Sequence, residues 1–214
     1  MYMIQEHEKS NLTKNAISSK DSFVYLHPEA YFKIIYHSLM YANKNRHKND
    51  WLEVMGWLSG NVRRDKSNVF EVMNITKAWP ITHGDTVSVK IGDYGKTLNK
   101  IIMKLSEQNE TILGWYHSHP SFGLFMSQTD FETQISYQRL YDKAIAIVFD
   151  HTLWSSINSG LEAYRLLPDL QTFQILPIRF GNELSKQVNP LLYNLFMKKL
   201  DSQIGLEELE TSNE

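Results

Sequence analysis

The sequence of 214 residues contains no cysteine. This absence excludes thiol nucleophiles, disulfide bridges and thiolate metal sites together. Any hydrolytic chemistry in the chain must therefore use serine, threonine, a carboxylate or a metal ion held by nitrogen and oxygen ligands.

An excess of positive charge is also missing. Lysine and arginine number 22 against 24 aspartate and glutamate residues, so the formal net charge is -2. Such a chain has no surplus of cations to neutralise a nucleic-acid backbone or an anionic lipid surface. Neither nucleic acid nor a membrane is expected as a partner.

Long apolar runs are absent as well. The longest unbroken run covers residues 144–149, far short of the roughly 18 residues that a membrane-spanning helix needs. The first fifteen residues are mostly polar and lack the long apolar stretch of a secretory signal. We therefore expect a soluble intracellular protein located in the cytoplasm.

Hydrophobic residues make up 42% of the chain, which is enough for one domain with a substantial core. Residues 1–21 are polar and without periodicity, and they predict a flexible N-terminal arm. The fold is expected over 22–180. Residues 181–214 predict a C-terminal amphipathic helix followed by an acidic tail.

Hydrophobic periodicity predicts the order β-α-β-β-α-β-α-β-β-β, which indicates an α/β fold with a mixed central sheet flanked by helices. The first helix should bury Tyr31, Ile34, Ile35, Leu39 and Met40, and the second Leu98, Ile101, Ile102 and Leu105. The predicted strands cover 23–26, 51–60, 69–79, 111–117, 144–149, 161–166 and 173–179, and the predicted helices 29–43, 93–108, 127–141 and 189–200. Residues 80–92 are predicted to form a loop.

The segment His117-Ser118-His119-Pro120 ends a predicted strand, where residues two apart project from the same face. Two imidazoles can therefore reach one ion, although such a pair is also typical of packed or exposed histidines. Asp130 follows in the first turn of a predicted helix. There Ser127-x-x-Asp130 also resembles a helix N-terminal cap, and capping and metal ligation are compatible.

Two neutral imidazoles and one carboxylate form a ligand set suited to zinc, and three protein ligands leave the fourth tetrahedral position open. An open position is typical of a catalytic site. Hydrolysis at such a site also needs a general base, so a further carboxylate is required.

Three stretches together resemble the signature of the JAMM, or MPN-plus, metalloprotease family. They are Glu-Val-Met-Gly-Trp-Leu-Ser-Gly at 53–60, Gly-Trp-Tyr-His-Ser-His-Pro at 114–120, and Phe122-Gly123 followed by Ser127 and Asp130. The similarity is strongest to the proteasome-lid deubiquitinases and the COP9 signalosome deneddylases, and it extends from about residue 23 to residue 179. It implies an MPN domain, a cytidine-deaminase-like α/β fold.

The resemblance assigns a role to each matching residue. It implies that His117, His119 and Asp130 hold one zinc ion, and that Glu53 acts as general acid and base. Ser127 would stabilise the oxyanion of the tetrahedral intermediate. The implied activity is that of a zinc isopeptidase, which releases ubiquitin or a ubiquitin-like modifier from a lysine amine or processes the modifier precursor.

The loop over 80–92 occupies the position of an insertion that binds the extended modifier tail in the family. Here Thr86, Val87, Ser88 and Val89, the 86–89 segment, have the composition of a strand that could pair with such a tail. The alternative is a loop that only joins a strand to a helix. The run Ser-Phe-Gly-Leu-Phe-Met-Ser at 121–127 departs from the family pattern at Ser121 and at residues 124–126, which leaves the substrate open.

Two further functions remain open from the sequence. One is a JAMM hydrolase for small peptides or sulfur-carrier-protein adducts. The other is a non-catalytic or autoinhibited scaffold that pairs with another MPN-domain protein or with a second copy of itself.

Overall fold

The computed structural model describes residues 22–64, 71–84 and 95–180, together with Leu191, Asn194, Leu195 and Lys198, which have helical backbone. The predicted arm at 1–21, the 86–89 segment, the acidic tail and the remainder of the predicted last helix lie outside the described residues.

The described residues form eight strands, three α-helices and a short 3-10 helix (Lys48–Asp50). The strands and α-helices follow the predicted order, except that the last predicted strand is divided into two. The strands are β1 (Ser22–Leu26), β2 (Glu53–Arg64), β3 (Glu71–Gly84), β4 (Thr111–Ser118), β5 (Ile145–Phe149), β6 (Leu161–Leu166), β7 (Phe173–Leu176) and β8 (Ile178–Arg179); the helices are α1 (Pro28–Tyr41), α2 (Gly95–Ser106) and α3 (Gln128–Leu140). The predicted α/β class, a mixed sheet with flanking helices, is confirmed.

The eight strands form one sheet in the order β7-β6-β5-β4-β2-β3-β1-β8. Strands β1–β3, β1–β8 and β4–β5 are parallel pairs, and the other neighbours are antiparallel. Although β7 and β8 stand at opposite ends of this order, only Pro177 separates them along the chain. The backbone N–H of Val24 donates to the Pro177 carbonyl at 2.9 Å, so the sheet curls until its two edges meet.

The prediction of one strand over 173–179 is wrong for this reason. Proline has no N–H to give to a strand ladder. The chain therefore leaves β6 at Pro177 and continues as β8 beside β1.

The β2–β3 hairpin is longer than predicted, and the expected loop does not begin at Pro80. Strand β3 continues to Gly84, with Gly56 opposite Pro80 and Met55 opposite Thr82. This register shift leaves Ile81 as an extra residue, a β-bulge that lets proline remain in the strand. The extension carries β3 to a position opposite Glu53.

Two hydrophobic layers lie on opposite faces of the sheet, as the alternation of strand residues requires. On β2, Val54 and Leu58 face the layer that α1 covers, whereas Met55 and Trp57 face the layer formed with α2 and α3. The predicted apolar faces are wrong at one residue in each helix: Met40 is 47% exposed and Ile102 is 46% exposed.

Helix α3 packs on the sheet through hydrogen bonds as well as apolar contacts. The indole N–H of Trp115 donates to Gln134 Oε1 at 2.8 Å, and that of Trp57 donates to the Tyr137 hydroxyl at 2.7 Å. Because these donors are buried, the bonds fix the helix against the strands. They thereby fix the position of its first turn, which carries Asp130.

Candidate metal centre

The sequence-predicted residues come together where β2 begins and β4 ends. Met55 pairs with His117 across the antiparallel ladder, and the backbone N–H of Val54 donates to Ser118 Oγ at 3.0 Å. Residues opposite each other in such a ladder point to the same face. Continued by two residues, this register brings Glu53 to the face that carries His117 and His119.

Three side chains converge at this point. The Nε2 atoms of His117 and His119 lie 2.9 Å apart, His117 Nε2 lies 3.1 Å from Asp130 Oδ1, and His119 Nε2 lies 3.3 Å from Asp130 Oδ2. All three residues are buried, and their ligand atoms lie within 4.8 Å of one another.

The donor set fits a metal ion. His119 Nδ1 makes a 3.2 Å hydrogen bond with the Gly123 carbonyl, so this nitrogen carries the proton and Nε2 presents a lone pair to the cluster. The ring of His117 stacks on Trp115, with centroids 4.8 Å apart, and its buried Nδ1 has no hydrogen-bond partner among the described residues. Two imidazole nitrogens and a carboxylate oxygen could therefore hold a divalent ion with one coordination position left open.

Asp130 combines the two roles that the sequence left open. Its Oδ2 accepts hydrogen bonds from the backbone N–H of Ser127 at 2.8 Å and from the Ser127 hydroxyl at 2.6 Å, while Oδ1 faces His117. The backbone N–H of Asp130 in turn donates to Ser127 Oγ at 3.2 Å. This capping box at the start of α3 holds the carboxylate in place beside the histidines.

The pKa values of the two carboxylates near the cluster, Glu53 and Asp130, are shifted in opposite directions. Burial raises the pKa of Glu53 to about 7, with His119 opposing the rise and Asp130 adding to it. Burial also opposes ionisation of Asp130, but the charge and hydrogen bond of His117, followed by those of His119, hold the pKa of Asp130 well below its ordinary value. Asp130 is therefore an anion near neutral pH, whereas Glu53 can both accept and release a proton.

The pKa values of the two histidines, His117 and His119, are also shifted in opposite directions. Burial lowers the pKa of His117 against the opposing charge of Asp130. For His119, burial acts in the same direction, but the hydrogen bond and charge of Asp130 outweigh it and raise the pKa.

Two residues of the site were not identified from the sequence. Ser118 ties the start of β2 to the end of β4 through its bond with Val54. Asp150 follows β5 and accepts hydrogen bonds from the backbone of the 121–123 loop. Strands β4 and β5 are parallel, with Ser118 opposite Phe149, so the residues that follow them had to lie side by side. The parallel pairing of β4 with β5 was therefore the signal by which these two residues could have been found.

Aromatic side chains border the site. The ring of Phe125 lies 4.7 Å from that of His119, centroid to centroid. Phe125 is 40% exposed and Phe122 is 64% exposed. The loop that departs from the family pattern thus presents apolar surface beside the candidate metal ligands.

Comparison with known proteins shows to which family this chain belongs. The family described as "JAB1/Mov34/MPN/PAD-1 ubiquitin protease" matches residues 19–143. The chain belongs to this family. Its mixed sheet with flanking helices is an MPN domain, and the resemblance to the JAMM family inferred from the sequence motifs is confirmed.

Several relatives resemble this MPN domain over part of their length. Protein F37A4.5 of Caenorhabditis elegans is 32% identical over 156 residues, which is 71% of this chain and 47% of the relative. COP9 signalosome complex subunit 5 of Candida glabrata is 27% identical over 161 residues, 71% of this chain and 34% of that subunit. The ubiquitin carboxyl-terminal hydrolase RPN11 of Saccharomyces cerevisiae is 31% identical over 118 residues, which is 54% of this chain and 37% of RPN11.

The matched region spans less than half of each of these relatives. Among the described residues of this MPN domain, no helix has the length and apolar character needed to cross a membrane.

Proposed function

We propose that this MPN domain is a zinc-dependent isopeptidase. Its reaction is hydrolysis of the bond between the C-terminus of ubiquitin, or of a ubiquitin-like modifier, and a lysine amine, or the equivalent bond in a modifier precursor. The observation that carries the proposal is the convergence of His117, His119 and Asp130 on the face of the sheet that also carries Glu53, a carboxylate whose pKa burial raises. The similarity to yeast RPN11, which is named as a ubiquitin carboxyl-terminal hydrolase, supports the substrate class.

Zinc held by His117, His119 and Asp130 would supply Lewis acidity and lower the pKa of water. Glu53 takes a proton from the attacking water and delivers it to the leaving lysine amine. Burial raises the pKa of Glu53, so this carboxylate holds a proton more readily than an exposed one and is suited to both transfers.

Ser127 donates its hydroxyl to the oxygen of the scissile carbonyl as negative charge develops there. In the structure this hydroxyl donates to Asp130 Oδ2, so it rotates toward the substrate oxygen when that oxygen becomes the stronger acceptor. Such donors contribute a few kcal/mol to catalysis, typically about 3–4.

The 86–89 segment is proposed to bind the extended tail of the modifier by strand addition. Its supporting observation is the register of β3, which ends at Gly84 opposite Glu53. Thr86, the first residue of the 86–89 segment, therefore follows by two residues the strand residue that is paired with the general base.

The chain is also proposed to associate with other proteins, either another MPN-domain protein or a second copy of itself. Support comes from the relatives that are named as subunits of the COP9 signalosome and of the proteasome.

The test is cleavage of a panel of ubiquitin and ubiquitin-like fusions by the purified chain, with and without a chelator, together with its zinc content. We expect stoichiometric zinc and chelator-sensitive cleavage. Glu53→Gln should keep zinc and lose about 10²- to 10⁴-fold in rate, since it loses the proton carrier, whereas Glu132→Gln, at an exposed carboxylate of α3, should behave as wild type.

Full cleavage by Glu53→Gln, or purified protein without zinc, would refute the assignment. Deletion of the 86–89 segment distinguishes the substrate classes. It should slow cleavage of protein fusions, and an unchanged rate would favour the small-peptide or sulfur-carrier substrate. Zinc binding without cleavage of any substrate would indicate the scaffold function.

A further inference from the structure

Asp150 is a buried carboxylate whose hydrogen bonds come from neutral N–H and O–H donors. It directly follows β5, and only 1% of its surface is exposed. Its Oδ1 accepts from the backbone N–H groups of Ser121 at 3.1 Å and Thr152 at 2.8 Å, and from the Thr152 hydroxyl at 2.7 Å. Its Oδ2 accepts from the backbone N–H of Gly123 at 2.8 Å.

The loop that Asp150 holds has an unfavourable backbone. Ser121 has φ +68° and Gly123 has φ +92°, both in the left-handed region that residues with a Cβ rarely adopt. Both residues donate their N–H groups to Asp150. Glycine adopts this region freely, so the buried carboxylate stabilises a loop conformation that Ser121 alone does not favour.

Gly123 connects this carboxylate to the metal cluster. Its N–H binds Asp150, while its carbonyl binds Nδ1 of His119. The loop is also anchored at its start, where the backbone N–H of His119 donates to the Phe149 carbonyl at 2.8 Å. A displacement of Gly123 would remove the acceptor that fixes the tautomer and the ring orientation of His119.

From this geometry we infer that Asp150 is a positioning residue for the metal centre: through Gly123 it holds His119 with Nε2 directed at the ion. The inference rests on the proposed function, since it presumes that zinc binds at His117, His119 and Asp130. Outer hydrogen-bond partners of ligating histidines typically change metal affinity by about 10- to 100-fold.

Two variants separate this role from a general contribution to stability. In Asp150→Asn the amide oxygen retains the three donors at the Oδ1 position, and the amide NH₂ then faces the N–H of Gly123, so the bond that leads to His119 is lost. Thr152→Val removes a hydrogen bond to the same carboxylate but leaves Gly123 bound. Thr152→Val is therefore the matched control.

The experiment measures zinc affinity of the full chain by competition with a chromogenic chelator, and the ¹⁵N shifts of the His119 ring in the zinc-loaded protein. We expect Asp150→Asn to bind zinc about 10- to 100-fold more weakly and to shift the His119 Nδ1 resonance. Thr152→Val should stay within about twofold of wild type in affinity and keep the wild-type spectrum.

Equal zinc affinity and equal His119 shifts in the two variants would overturn the inference while leaving the proposed function intact. Wild-type protein that binds no zinc would overturn both. If Asp150→Asn does not fold, wild-type protein loaded with cadmium-113 decides the matter. Cadmium coupling to His119 Nε2 supports the inference, and coupling to Nδ1 contradicts it.

Discussion

Ser127 uses one hydroxyl for two purposes, because it caps α3 in the structure and is the proposed oxyanion donor. Ser127→Ala should lower the free energy of unfolding by about 1 kcal/mol through loss of the cap, and should lower kcat by about 10²- to 10³-fold. Ser127→Thr retains a hydroxyl at the same position and should keep most of the stability and most of the kcat. Urea unfolding and single-turnover cleavage at saturating zinc measure the two effects separately.

If Ser127→Ala is less stable but cleaves at the wild-type rate, Ser127 acts as a helix cap and the proposed oxyanion role is wrong. Loss of activity caused by weaker zinc binding is excluded by repeating the assay at a tenfold higher zinc concentration.

Individual site residues were predictable to different degrees. His117 and His119 could be paired because a strand fixes which residues share a face, and the structure brings them to Asp130. Asp130 could not be assigned to capping or ligation from its neighbours, since both roles use a carboxylate in the first turn. In the structure Oδ2 contacts both Ser127 and His119, while Oδ1 faces His117. Asp150 escaped notice because its partners are mainly backbone N–H groups, which any sequence supplies.

Strands β4 and β5 approach each other closely at Gly114. A Cβ at this position would lie 1.9 Å from the Ile145 carbonyl oxygen, and the residue has φ +153°. Gly114→Ala should therefore force the two central strands apart and lower the free energy of unfolding by roughly 2–4 kcal/mol. Denaturant unfolding in the presence of chelator measures this without a contribution from metal binding.

Gly84→Ala is the matched control, because a Cβ there meets no atom of the described residues within 4 Å. It should change stability by less than about 0.5 kcal/mol. Equal effects of the two substitutions would show that the β4–β5 contact does not limit residue size.

The elements themselves were largely predictable, but their ends and edges were not. Periodicity located α1, α2 and α3 because each buries one face. It misplaced Met40 and Ile102 because the width of a buried face depends on the neighbours it meets. Strand β3 continues past Pro80 because a bulge absorbs the proline, and no local pattern signals a bulge that its partner strand creates.

His37 links α1 to the sheet and makes the stability of the whole domain depend on pH. It is buried, and its Nδ1 lies 2.9 Å from the Tyr116 hydroxyl. Burial lowers the pKa of His37 to about 4, with the charges of His83 and Lys33 adding to the effect. The unfolded chain protonates this histidine near pH 6.5, so below that pH the unfolded state binds more protons and is favoured.

The stability that buried, neutral His37 contributes is fully present above pH 6.5 and is lost as the pH falls toward 4. His37→Gln retains a hydrogen-bonding group for Tyr116 but does not titrate. Between pH 7.5 and pH 5, wild type should lose about 2 kcal/mol more than this variant in urea unfolding with chelator present. A constant difference between the two proteins across this range would contradict the assignment.

The meeting of β7 and β8 at Pro177 has a consequence for how the fold can be connected. Strand β1 lies parallel to β8, with Tyr25 opposite Arg179, so the first and last strands of the domain are hydrogen-bonded neighbours. The end of β8 and the start of β1 are separated by about three residues of strand, or roughly 10 Å. A short linker could therefore join them, and new chain ends could open at the exposed loop around Ile157. The architecture is thus compatible with circular permutation, and equally with insertion of the whole domain into a surface loop of another protein.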